Sequence, residues 1–386
     1  MLSRIAENLY WMGRYVERAE NTARLLDVNY HAIVEVPLQP GTRGIVTEQW
    51  APLLHILDDE ARFREHFERA DRNTVPEWLA VSSENPSSIR MSLTHARENA
   101  RTLRDRISTE MWETLNRAYL ELCDGTREDI AQETLHDYCA TARESSYLFF
   151  GTADATLPRD LGWYFLKAGQ YLERTDNVLR ILMVRYRQYR GQEVVARGVE
   201  THRGMALLKS ISAFEAFRKR YHSALDSRHI AEFLLLDPFF PRSVRFSANV
   251  VYDVLKEIEA RNPDVSAEPS RQAGWLAAQL EYMPNAQKVT EDEDPSIESL
   301  LRGLAALSDA VSHAYFDYAS AQEQSQSQSQ GGQNQSQSQS QSGGGSQSQN
   351  QSQSGNGSQS QSQSQSERKK NEQDKRQEQL FSRGDV

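Results

Sequence analysis

Only two cysteines, Cys123 and Cys139, occur among the 386 residues. Two thiols make no disulfide framework, and neither lies in a CxxC or Cys/His spacing that would hold zinc. Basic side chains are in the minority, 44 against 54 acidic, for a net charge of −10. A general nucleic-acid binder shows a basic surface, so that class is disfavoured. Long apolar runs are also missing, so no membrane span is expected. Met1 to Leu9 already carries Arg4 and Glu7, unlike the apolar core of a secretory signal peptide. These absences suggest a cytoplasmic protein with reduced thiols. No P-loop, GxGxxG, GxSxG or HExxH pattern is found. No cofactor and no metal are therefore expected, and no segment alternates apolar and polar residues as a strand would.

What is present is helical periodicity. Ile5, Leu9, Met12, Val16, Ala19, Ala23, Leu26 and Tyr30 step by three and four and share one face. They predict a first helix over about 2–36. Further helices are expected over 50–58, 60–71, 88–106, 109–124, 127–150, 160–190, 199–223, 226–236, 242–261, 270–282 and 295–321. Gly151 is read as the stop of the 127–150 helix. The fold class is all-α, a multi-helix bundle with an internal duplication and a disordered C-terminal tail.

Residues 324–366 consist of Ser, Gln, Gly and Asn alone, a composition that cannot bury a core. The expected organisation is a helical bundle over 1–321, with repeat units of about 2–150 and 158–321. A Ser/Gln-rich linker over 322–366 and a charged tail over 367–386 follow.

The strongest signal is internal. Gly13-Arg14-Tyr15-Val16-Glu17-Arg18 and Gly169-Gln170-Tyr171-Leu172-Glu173-Arg174 match at a separation of 156 residues, and so do Asn21/Asn177 and Arg24/Arg180. A weaker echo is Ala96-Arg97-Glu98-Asn99-Ala100-Arg101. Residues 13, 17, 21 and 24 fall in a stripe roughly 80° wide beside the apolar face. Gly13 and Gly169 would allow close backbone approach. The two motif helices are expected to meet or to be related by a twofold axis. One reading makes Glu17, Asn21, Arg24 and their copies a buried network that fixes helix register. The other makes them a ligand site. There Arg24 and Arg180 grip an anionic peptide or metabolite, with Arg18 and Arg174 alongside.

The segment Tyr15-Val16-Glu17-Arg18-Ala19-Glu20-Asn21 resembles the signature of the bacterial alpha-E domain family, all-helical proteins named for a Glu-Arg motif. Leu161-Gly162-Trp163-Tyr164-Phe165 and Phe240-Pro241-Arg242-Ser243-Val244 are similar to other parts of it, and the likeness spans about 1–321. Such proteins are typically encoded beside ATP-grasp proteins and transglutaminase-like peptidases. The resemblance therefore implies an accessory or partner protein in an ATP-grasp-linked pathway that forms amide bonds or processes peptides. An enzyme of that pathway using the Glu/Arg cluster, and an assembly protein driven by its tail, are the alternatives.

Weaker signals complete the reading. Glu133-Thr134-Leu135-His136 has the ExxH spacing of di-iron bundles, but it occurs once where two are needed. Arg242, Ser243 and Arg245 open a helix and form a candidate anion contact. His95, His202 and His313 read as surface or satisfied residues, and Trp11, Trp163 and Trp275 as packing groups.

Overall fold

The computed structural model describes residues 3–34, 50–123, 132–189, 197–221, 225–283 and 296–317, within one compact unit, Met1–Gln322. Every regular element among them is helical. The first half holds α1 (Ser3–Val34), α2 (Ala51–Ile56), α3 (Glu60–His66), α4 (Ile89–Thr102), α5 (Thr109–Leu122) and α6 (Gln132–Thr156). The second holds α7 (Leu161–Tyr189), α8 (Arg197–Ser210), α9 (Phe214–Arg220), α10 (Ser227–Leu236), α11 (Val244–Ala260), α12 (Glu268–Glu281) and α13 (Ile297–Tyr315). The expected Ser/Gln linker and charged tail lie outside the described residues.

At the centre α1 lies along α7, the most extensive helix contact in the bundle. Both present apolar stripes, with Leu9, Met12, Val16, Ala19 and Leu26 buried on α1 and Leu166, Leu172, Leu179 and Leu182 buried on α7. Helices α4 and α6 cover α1; α11 and α13 cover α7. The two helices run parallel and in register. A Cβ on Gly13 would sit 2.2 Å from the Leu166 carbonyl oxygen, and one on Gly169 would sit 2.0 Å from that of Tyr10. Only glycine permits backbones this close.

The flanking elements recur too. Asp58 and Ser212 adopt the left-handed conformation after α2 and α8 (φ 55° and 54°). Each is followed by an amide bonded back to the helix, Asp59 to Leu54 O at 2.9 Å and Ala213 to Leu208 O at 2.7 Å. Phe63 stacks on Phe67 at 5.1 Å, with Trp78 edge-on; Phe217 stacks on Tyr221 at 4.9 Å, with Phe233 edge-on. Ser88 and Ser243 cap α4 and α11 by accepting from Met91 N and Phe246 N. Each also donates to the carbonyl six residues back, Ser82 O and Asp237 O.

Several sequence expectations need correction. Helix α6 runs through Gly151 to Thr156, because a helical glycine weakens a helix without ending it and nothing crowds Gly151. The helix expected over 199–223 is two, since Ser212 reverses the chain at a position no glycine marks. The expected 60–71 helix stops at His66, where Phe67 turns extended. A turn at Thr74–Pro76 running into one π-helical turn at Glu77–Val81 was not expected; it buries Trp78 completely.

Candidate functional site

The repeated Glu-Arg motif forms a crossed clasp between α1 and α7. The Glu17 carboxylate accepts two bonds from Arg174, Nε to Oε1 at 2.7 Å and Nη2 to Oε2 at 2.8 Å. Reciprocally, Glu173 accepts from Arg18, Nε to Oε1 at 2.6 Å and Nη2 to Oε2 at 3.0 Å. Each helix thus gives its glutamate to the arginine of the other. The geometry is the bidentate fork that guanidinium and carboxylate favour. Glu17 is 1% and Glu173 7% exposed, so the charges need this pairing. Burial pushes the Glu173 carboxyl up, but Arg18 and Arg14 outweigh it and bring the pKa down to about 2. Glu17 is likewise raised by burial and lowered further by Arg174 and Arg242.

The third contacts differ. Glu173 takes Arg14 Nε at 2.7 Å, whereas Glu17 takes Gln170 Nε2 at 3.4 Å and Arg242 Nη1 at 3.4 Å. Arg242 also reaches Asn21 Oδ1 at 3.2 Å and Glu20 Oε2 at 3.0 Å.

One to two turns further along, the two helices part in character. Arg24 bonds Glu20 and the Tyr147 hydroxyl, and its Nε has no hydrogen-bond partner among the described residues. Arg180 bonds Asp176 at 2.7 Å and Asp58 at 3.3 Å. The residue that matches Asp58 beyond α8 is Ser212, which carries no charge, and the residue that matches Arg242 before α4 is Ser87. The Arg24 side therefore lacks one carboxylate and gains one guanidinium. Among the described residues, Arg14, Arg18, Arg24, Arg174 and Arg242 form ion pairs with three carboxylates, Glu17, Glu20 and Glu173, and Asp176 lies near enough to Arg14 to feel its charge. Burial first, then Arg242, lowers the Arg24 guanidinium to about 10. Burial raises the Tyr147 hydroxyl, but Arg24 and Arg242 bring it below its usual value.

Of the residues singled out from sequence, Glu17, Arg18, Glu173 and Arg174 meet in the clasp. Arg24 and Arg180 engage separate partners and do not share one set of contacts. Asn21 joins Arg242, and its buried Nδ2 has no partner among the described residues. Asn177 is buried at the matching position of α7. Arg242, Ser243 and Arg245 diverge. Arg242 turns into the clasp, Ser243 caps α11, and Arg245 reaches Glu281 at 3.7 Å. The Ala96–Arg101 echo puts Ala96 and Ala100 in the core and Glu98 at the surface with Arg97 and Arg101. Near it, Trp11, Tyr15 and His95 line an open cleft of about 640 Å³.

Sequence reasoning gave no site role to Arg14 or Tyr147, whose roles depend on which helix lies opposite, and noted Glu20 only as a repeated carboxylate. Trp275, read as a packing group, is 69% exposed, and Tyr282 two turns on is 80% exposed. The Glu133 side chain of the ExxH motif lies outside the described residues. His136 instead meets Asp27 and His31. The Cys139 and Cys123 thiols are buried, and burial raises both, Cys123 to about 12, so neither is a ready nucleophile.

The crossed clasp gives the Glu-Arg dipeptide a structural role in both α1 and α7. The alpha-E family, described as a predicted alpha-helical domain with a conserved ER motif, matches residues 1–316. The chain belongs to the alpha-E family. It is similar to Uncharacterized protein Mb2597 of Mycobacterium bovis, 25% identical over an aligned length of 338 residues that covers 82% of this chain and 36% of that protein. Uncharacterized protein Rv2567 of Mycobacterium tuberculosis is 24% identical with the same coverage. This alpha-E chain thus spans about a third of the length of the curated relatives it matches. No solved structure matches it.

Proposed function

We propose that this alpha-E protein is a non-catalytic partner in an ATP-grasp-linked pathway of amide-bond formation or peptide processing. In it, the Arg24–Arg242–Tyr147 corner would hold an anionic group of the pathway's peptide, a carboxylate or a phosphate. The clasp is the frame, formed by two copies of one helical unit that face each other through α1 and α7. The corner is where the copies differ. The observation that carries the reading is its charge imbalance. Arg180 has Asp58 where Arg24 has only Ser212, and Arg242 adds a further positive charge. A ligand oxyanion would supply the missing charge and offer an acceptor to Arg24 Nε. Ser212 is exposed and Tyr147 half exposed, so the corner is reached from solvent there.

The partner half of the reading is supported by two facts. The region that matches this chain is about a third of the longer relatives, so there it is joined to further protein. Trp275 on α12 and Tyr282 at its C-cap are both exposed, as interface aromatics are before a partner docks. The test is reconstitution with an ATP-grasp protein, the proposed partner. Arg24→Lys should stay folded and bound to that protein while pathway output falls at least tenfold. Joint replacement of Trp275 and Tyr282 by Ala should weaken the association itself. Full output from folded Arg24→Lys would refute the corner, and unchanged association of the aromatic variant would refute that face.

A further inference from the structure

We propose that Asp27, His31 and His136 form a binding site for a divalent transition metal of the Zn²⁺ class, with the fourth position open to solvent. Asp27 and His31 stand one turn apart at the end of α1, and His136 faces them from α6. Their donor atoms converge on one point. His31 Nε2 is 3.2 Å from His136 Nδ1 and 3.5 Å from Asp27 Oδ1, and His136 Nδ1 is 2.6 Å from Asp27 Oδ1. Zinc bonds of about 2.0–2.2 Å at tetrahedral angles separate neighbouring donors by about 3.3–3.5 Å. One of the three edges already has that length, and a second, at 3.2 Å, is within about 0.1 Å of it. The third is a hydrogen bond, and it opens by less than 1 Å when the ion displaces its proton.

Protein chemistry alone leaves the cluster awkward. Two imidazole nitrogens and one carboxylate oxygen point at each other, and a proton links all three only as a shared three-centre bond. A cation satisfies every lone pair at once. The other oxygen, Asp27 Oδ2, is held by Arg143 Nη1 at 3.2 Å, the kind of outer contact that orients a ligating carboxylate. Asp27 is buried, whereas both histidines are half exposed, so a bound ion would keep a water or an exchangeable ligand. Two imidazoles and a carboxylate suit zinc and its neighbours more than magnesium or calcium. The site ties the last turns of α1 to α6. It is separate from the charged clasp and does not rest on the proposed function.

The test uses the full chain, stripped of metal and titrated with Zn²⁺, with Co²⁺ as a spectroscopic probe. The expected result is one ion per chain, visible d–d absorption typical of tetrahedral Co²⁺, and a rise in Tm of roughly 4 °C at a hundredfold excess over Kd. His31→Gln and His136→Gln replace half-exposed side chains, and each should keep the helical circular dichroism of the parent. Each should weaken Zn²⁺ binding at least tenfold, while the control His313→Gln leaves it unchanged. Binding that is equally strong in the His31 and His136 variants would overturn the proposal. So would no saturable binding by the parent below about 100 μM. If a variant fails to fold, the parent's stoichiometry and Co²⁺ spectrum decide the question.

Discussion

The close approach of α1 and α7 makes Gly169→Ala a severe test of the central packing. A Cβ at that position would meet Tyr10 O at 2.0 Å, Tyr10 C at 2.9 Å and Arg14 N at 3.2 Å. The obstacle is backbone, so no side chain can swing away. The helices must separate by more than 1 Å. That movement stretches the clasp bonds, now 2.6–3.0 Å, past useful hydrogen-bond length. Overpacking alone costs about 1–3 kcal/mol. Weakening two buried ion pairs adds to it, since breaking one outright costs roughly 3–5 kcal/mol. A loss of about 3–5 kcal/mol is expected, read by urea unfolding followed by circular dichroism. Gly303→Ala is the control. It lies on α13 with nothing within 4 Å, so it should be neutral or stabilise by up to about 1 kcal/mol. If Gly169→Ala unfolds within about 0.5 kcal/mol of the parent, the two backbones do not touch as described and the clasp geometry falls with them.

Other outcomes follow from the same contacts. Glu17→Ala and Glu173→Ala should each cost roughly 3–5 kcal/mol, because each strands a buried guanidinium, and the Gln variants should cost less; losses under about 0.5 kcal/mol for all four in denaturant titrations would place these carboxylates in water. Glu173 has a folded pKa of about 2 against an ordinary 4.5, so its stabilisation is complete above pH 4.5 and fades as pH falls toward 2. It amounts to about 3 kcal/mol, and Glu173→Gln should flatten that acid limb in a pH series of Tm values. Removing residues 324–386 should leave the Tm of the bundle unchanged, since 324–366 has no apolar side chain to contribute and the charged tail has only Leu380, Phe381 and Val386; a fall of several degrees in calorimetry would contradict this.

The sequence by itself determined a good deal. The step of three and four through Ile5, Leu9, Met12 and Val16 fixes a helix whatever surrounds it, because burial of one stripe drives it. Identical Gly, Glu, Arg and Asn at one helical phase in two segments marked the α1–α7 contact, since a solvated face would need only polarity. Where the chain bends was less legible. Ser212 and Asp58 reverse it without glycine, and Gly151 stops nothing, because the neighbours and not the local residue decide those points. The flanking repeat escaped as well: Trp78 stands where Phe233 does, and aromatic packing tolerates that exchange while a residue match does not.

Only the tertiary structure decided which charge meets which. From one helix, Arg18 points about 120° away from Arg24, and Arg24 sits on the same stripe as Glu17, so Arg24 reads as the fork. With α7 lying parallel and in register, Glu173 comes to Arg18 and Arg174 comes to Glu17. Arg242, Tyr147, Asp58 and His136 arrive at α1 and α7 from distant parts of the chain, and no local spacing records them. Periodicity is a property of one segment, so one segment reveals it. A salt bridge is a property of two, and its second half exists only once the bundle has closed.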